Sequence, residues 1–224
     1  HLRPRRHAWL HDGDYGCGSV SDDTDYPVTV TEVGRLNVHH RGTPCDFLCI
    51  EEILTGLDCY RVRDLDPAPK VVVDIGANIG LFTCLICDLY PEARVYAFEP
   101  EPENHTLAQI NIEKNGFADR ATVLPDAVWS HADGVQSHGS EGLAETHEES
   151  HYLKHDIPHT PVPSITLDSI LQEHDHVDIL KVDTEGAEYD IFRPSLLLEK
   201  VGFITMEVHD YWDDSRLNDL RNKL

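Results

Sequence analysis

Lys70-Val71-Val72-Val73-Asp74 runs straight into Ile75-Gly76-Ala77-Asn78-Ile79-Gly80, and this junction constrains the fold more than any other stretch of the chain. An unbroken β-branched run ending in an acid reads as a strand buried on both faces, the kind found in parallel sheets. Gly76 lets the chain turn sharply, and its missing side chain lets a ligand touch the backbone. Gly80 allows close helix–strand packing as the next helix begins. That helix is predicted over 81–90, where Pro91 stops it. The spacing is D-x-G-x-N-x-G, which differs from the G-x-G-x-x-G of a nicotinamide dinucleotide site.

The rhythm continues downstream. Strands are predicted at 94–99, 121–124, 177–182 and 203–208. Helices are predicted at 102–115, closed by Asn115-Gly116, at 168–173, and at 189–198 with an interruption at Pro194. Strands alternating with helices imply an α/β fold, a mostly parallel sheet with helices on both faces. A chain of 224 residues with 40% apolar content is long enough for one such core. Pro67-Ala68-Pro69 separates the domain at 67–224 from an extension at 1–66. The first 30 residues lack periodicity and read as loosely attached. Apolar spacing then predicts a helix over 46–57. Residues 130–163 break the pattern: they are polar, acidic and rich in histidine (His131, His138, His147, His151, His155, His159). That spacing fits no ligand pair on a helix, so a solvated loop is expected, with a flap over the site as the sharper reading.

Charge narrows the function classes. Asp and Glu total 41 against 18 Lys and Arg, a net charge of −23 spread along the whole chain. Only six residues are Lys, and Asp outnumbers Glu. This is the pattern of a halophilic protein, whose self-repulsion is screened as the Debye length shrinks from about 10 Å at 0.1 M salt to about 3 Å at 1 M. Phosphate backbones repel such a surface, so nucleic acid is not expected as a substrate. No run approaches the roughly 18 apolar residues of a membrane span. The basic start His1–His7 has no apolar stretch behind it, so no signal peptide is read there. The cysteines are Cys17, Cys45, Cys49, Cys59, Cys84 and Cys87. Cys84 and Cys87 fall in an apolar helix and read as core packing; free buried thiols suit a cytoplasmic location.

The ends of successive strands carry the chemistry. Glu99 follows Gly76 by 23 residues, the position from which an acid hydrogen-bonds ribose hydroxyls. Asp126 ends the third strand, where it can accept from an adenine amino group. Acids and polar turns at consecutive strand ends form one ligand crevice at the carboxyl edge of the sheet. Taken singly, Glu99 and Asp126 are equally compatible with helix caps or solvated acids.

Val73 to Gly80, then Phe98-Glu99-Pro100, then Thr166-Leu167-Asp168, then Leu180-Lys181-Val182-Asp183-Thr184-Glu185-Gly186-Ala187-Glu188, then Glu207-Val208-His209 resemble the successive signatures of FkbM-family methyltransferases. The similarity covers about residues 70–210, and the K-x-D-x-E-G-x-E block is its most specific part. It implies a Rossmann-like class I methyltransferase fold and methyl transfer from S-adenosylmethionine to a hydroxyl of a sugar, glycolipid or other small molecule. The expected cofactor set is Asp74, Gly76, Ala77, Asn78, Gly80, Glu99, Pro100, Asn104, Asp126 and Ala127. The expected substrate-facing set is Lys181, Asp183, Glu185, Glu207 and His209. Asp183 or His209 would take the acceptor proton, and Lys181 would hold a substrate oxygen or tune the acids. Glu188 is either part of this block or an acid serving its own helix N-terminus. No metal is assigned, although Asp183, Glu185 and Glu207 carry the oxygen chemistry for one.

Enzymes of this fold add two more strands, the last antiparallel, after the strand at 203–208. Only 210–224 follow here, with a helix predicted around 217–220, so the sheet is expected to be incomplete: either the chain is truncated or another subunit covers the exposed edge. The alternatives are an inactive methyltransferase-like binding module and a nucleotide-binding enzyme of another class.

Overall fold

The computed structural model describes residues 27–55, 58–137, 143–144, 160–208 and 214–224. In chain order the elements are β1 (Thr29–Val33), β2 (Leu36–His40), α1 (Pro44–Leu54), β3 (Val71–Ile75), α2 (Leu81–Leu89), β4 (Arg94–Phe98), α3 (Pro102–Lys114), β5 (Ala121–Leu124), β6 (Ala127–Trp129), β7 (Val135–Ser137), β8 (Leu143–Ala144), β9 (Thr160–Val162), β10 (Ser164–Thr166), α4 (Leu167–Gln172), β11 (Val177–Val182), α5 (Glu188–Phe192), β12 (Val201–Met206) and α6 (Asp214–Lys223).

The main sheet has five strands in the order β12-β11-β3-β4-β5, all parallel. This is the Rossmann-like arrangement expected from the sequence. The chain runs from β3 outward to β5, then returns to β11 beside β3 and continues outward to β12. Strand order therefore reverses between β3 and β11, and a crevice opens there at the carboxyl ends of the two strands.

Period-two alternation divides the sheet residues between two cores. Val72, Val95, Ala97 and Ile179 face α1, α2 and α3, together with Leu36, Val38, Ile50 and Leu54 from the N-terminal elements. Val73, Ile75, Leu180 and Val182 face the other way, against Leu167, Ile170, Ile191, Phe192 and Leu220. Burial on both faces explains why the strands read as unbroken apolar runs. Cys84 and Cys87 are buried within the first cluster.

Two features depart from the sequence reading. The region before residue 44 contributes an antiparallel hairpin, β1–β2, whose core face is built from Leu36, Val38 and His40 of β2. Part of the His-rich stretch is also paired: β7 takes β8 and β9 on its two sides, and β6 pairs in parallel with β10. Buried Val135 and Val162 face each other across β7 and β9, one buried apolar residue in each of these two strands and too sparse to show periodicity. His138, His147, His151, His155 and His159 lie outside the described residues, as do residues 1–26.

In the main sheet β12 pairs with β11 alone among the described residues, and Phe203 on it is exposed. Among the described residues this sheet has five strands, all parallel. No described helix is long and apolar enough to cross a membrane.

Candidate functional site

The turn after β3 is held by main-chain bonds. The amides of Gly76 and Ala77 both donate to the Phe98 carbonyl at 3.0 Å, and Gly80 donates to Ala77 at 2.8 Å. Gly76, Asn78 and Gly80 all adopt positive φ, at +76°, +50° and +80°. Gly76 meets a second constraint: a β-carbon there would lie 1.7 Å from the Asp183 carbonyl oxygen. At Gly80 the close neighbour is Ala108 of α3, whose Cα would stand 3.0 Å from a β-carbon, so this glycine serves helix–helix rather than helix–strand packing. Ala77 is buried.

Beneath the turn sits a sealed ion pair. β3 and β11 place Asp74 and Lys181 directly opposite each other in register. The period of two then puts Asp183 on the same face as Lys181. Lys181 Nζ donates to the Gly76 carbonyl and lies 3.2 Å from Asp74 Oδ1 and 3.7 Å from Asp183 Oδ2. Asp74 Oδ2 accepts from the Thr83 hydroxyl at 2.7 Å. The rings of Tyr60 and Phe82 close over the ammonium at 5.5 and 5.9 Å. Burial works against the charge on Lys181, but Asp74 and Asp183 outweigh it and hold the ammonium above the ordinary lysine range. Lys181 and Asp74 are both buried and support the turn from beneath.

Asp183 is the member of this set that reaches the crevice, with its side chain 22% exposed. Its Oδ2 accepts the Tyr60 hydroxyl at 2.7 Å. The following turn carries Glu185 at φ +53° and Gly186 at φ +111°. Glu188 opens α5 and folds its carboxylate back over that turn: Oε1 accepts from the Thr184 amide and hydroxyl, both at 3.2 Å, and from the Gly186 amide at 3.1 Å. Glu188 is thereby the acid that fixes the loop, and is itself fully buried. Glu185 and Glu207 are exposed. The Glu207 amide donates to Val182, which fixes the end of β12 beside the end of β11. His209 lies outside the described residues.

On the other flank, Glu99 ends β4 and is 6% exposed. Its Oε2 accepts from the Asn78 amide at 2.7 Å and its Oε1 from the Glu101 amide at 2.9 Å. Burial pushes its pKa up, against the opposing pull of these amides, Lys181 and the Asn104 side chain. Asn78 Oδ1 and Asn104 Oδ1, both buried, have no hydrogen-bond partner among the described residues. Two unmet acceptors flanking a carboxylate suit a ligand that presents hydroxyl donors. Pro100 is half-buried beside them. Asp126, past the end of β5, is half-buried; burial raises its pKa and His105 of α3 opposes the rise. The adjacent Ala127 amide is already taken by the Pro163 carbonyl at 2.9 Å.

Sequence reasoning missed Tyr60, Thr83, Cys49 and His105. Cys49 Sγ receives the Asn78 side-chain amide at 3.7 Å. Thr83 follows the glycine turn by one helical step, a spacing from which its bond to Asp74 is inferable. Tyr60 meets its partner across 123 residues of sequence, and no local signal marks it.

A family model described as "Methyltransferase FkbM domain" matches residues 74–224. The chain is similar to methyltransferase sdnD of Sordaria araneosa, 27% identical over 64% of this chain and 66% of that protein. It is also similar to 2-O-methyltransferase NoeI of Sinorhizobium fredii, 26% identical over 65% of this chain and 66% of that one. The chain thus spans just under two thirds of the length of these relatives. Among solved structures, precorrin-6y C5,15-methyltransferase of Geobacter metallireducens overlaps 75% of this chain and 67% of its own, at 14% identity and a TM-score of 0.45.

Proposed function

Because the chain belongs to the FkbM methyltransferase domain family, we propose that it transfers a methyl group to a hydroxyl of a sugar, glycolipid or other small molecule. The cofactor of this family is S-adenosylmethionine, which supplies an electrophilic methyl on a sulfonium. The residues present fit it. Glu99, Asn78 and Asn104 offer a carboxylate and two unmet acceptors for a vicinal diol. Gly76 lets the turn press against the Asp183 carbonyl, which brings the two strand ends together at the crevice. Asp126, flanked by His105, stands ready for an exocyclic amine.

The observation that carries the hydroxyl reading is the anchored Asp183 carboxylate. It lies at the switch point, joined to the glycine turn through Lys181, with part of its surface open. A carboxylate so placed can take the proton of an alcohol as the oxygen attacks, which is typically worth about 10²–10⁴ in rate. The turn and Asp183 would align the oxygen, a contribution separate from proton removal. Among the relatives, the 2-O-methyltransferase supports an oxygen acceptor. The net charge of −23 supports a salt-adapted, cytoplasmic setting and argues against nucleic acid as acceptor. The open edge of β12 supports pairing with a second copy.

The test supplies methyl-tritiated S-adenosylmethionine with a panel of free sugars, glycolipids and simple polyols. Label in an alkali-stable ether, lowered at least about a hundredfold by Asp183→Asn, is the expected result. Label in an alkali-labile ester or an amine would replace the hydroxyl reading.

A further inference from the structure

Tyr60 lies outside the family-matched segment, yet it reaches the centre of the site. It is 8% exposed, and its ring meets Phe82 edge-on at 5.2 Å and 81°. Its hydroxyl donates to Asp183 Oδ2, the same oxygen that Lys181 approaches. Burial, followed by the charge of Asp183, pushes the phenol's pKa far up, so the group stays a donor. Among the described residues Oδ1 of Asp183 makes no hydrogen bond.

The charges do not cancel. Asp74 and Asp183 set two carboxylates against one ammonium. The side chains of Asp74 and Lys181 are 0% and 3% exposed, and that of Asp183 is 22% exposed. The uncompensated negative charge therefore surfaces at Asp183, whose carboxylate is tied to the glycine turn through Lys181.

We infer that Tyr60 is a positioning residue that pins Asp183, and that the pinned carboxylate makes the crevice prefer a positively charged sulfonium over the neutral thioether left after transfer. The inference rests on S-adenosylmethionine being the cofactor, and adds to it a reason for product to leave. Neutral thioether gains nothing from the carboxylate, whereas the cation does. Tyr60 acts only through Asp183, since its hydroxyl is spent on that oxygen.

Calorimetric titration of S-adenosylmethionine and of S-adenosylhomocysteine, at one fixed salt concentration, tests this without any acceptor. Asp183→Asn is expected to weaken S-adenosylmethionine by about tenfold, the scale of one partly screened charge pair, and S-adenosylhomocysteine by no more than about twofold. Tyr60→Phe keeps the ring and should weaken the same ligand one-sidedly by about threefold, as for loss of one hydrogen bond. The double variant should be no weaker than Asp183→Asn alone. Equal weakening of both ligands by Tyr60→Phe would reduce Tyr60 to packing, and no change would remove its hydroxyl from the site. An unchanged ratio in Asp183→Asn, which does not depend on the Tyr60 variant folding, would overturn the charge preference. Failure of the wild-type protein to bind either ligand would instead strike the cofactor assignment itself.

Discussion

The carbonyl oxygen of Asp183 occupies the space where Gly76 would carry a side chain, 1.7 Å from the position of an ideal β-carbon. The ends of β3 and β11 are thus in main-chain contact, and glycine is required twice over, since φ is also +76°. Gly76→Ala should cost at least about 2 kcal/mol, because left-handed strain alone is about 1–2 kcal/mol and the backbone must also move aside. Denaturant unfolding measures this. A loss below about 0.5 kcal/mol would mean that the two strand ends are not pressed together.

Lys181 lies between the Asp74 and Asp183 carboxylates. Lys181→Met keeps the length of the side chain and leaves Asp74 buried without its cation. A loss of about 3–5 kcal/mol in unfolding free energy is expected, as for other buried pairs broken on one side. Adding Asp74→Asn should recover part of it. If Lys181→Met is neutral and the second change brings nothing back, the ion pair does not support the turn.

Glu99 links stability to pH. Burial raises its pKa in the folded protein above the ordinary 4.5. Below 4.5 the group is neutral in both folded and unfolded chains and its burial is cheap. As pH climbs from that value toward the raised one, the unfolded chain releases its proton first, so Glu99's contribution to stability falls. Glu99→Gln removes this dependence. The stability difference between variant and wild type should therefore shift in the variant's favour as pH rises above about 4.5. A difference that stays flat across that range would show that Glu99 is not held in a desolvated state.

The main sheet was legible because its strands are buried on both faces. Val71–Val73 announces itself as an apolar run and Val177–Val182 as a mostly apolar one, and the five strands fall within about two residues of their expected places. The glycine turn and the acids at 99, 126 and 183 followed from strand ends. What the sequence hid was side-chain direction. The sequence leaves Lys181 between holding a substrate oxygen and tuning the acids, and the register of β11 against β3 sets it beside Asp74. Tyr60 was invisible because its partner is set by tertiary packing, not by spacing. The pairing of β7 with β9 rests on one buried valine in each strand, and the alternation of Leu36, Val38 and His40 in β2 spans too few residues to stand out.

The acidic surface makes a prediction of its own. With a net charge of −23 on 224 residues, like charges repel across the folded surface. The melting temperature should rise as potassium chloride goes from about 0.1 M to about 2 M, because the screening length falls several-fold. A flat or falling melting temperature would refute salt adaptation.

The most direct measurement is calorimetric titration of S-adenosylmethionine and of NAD, side by side, into the wild-type protein and Glu99→Ala. S-adenosylmethionine should bind and NAD should not. Glu99→Ala should weaken that binding by about 1.5–3 kcal/mol, as for hydrogen bonds to a charged group. Binding of NAD in place of S-adenosylmethionine, or a dissociation constant unmoved by Glu99→Ala, would contradict the placement of the cofactor at the glycine turn.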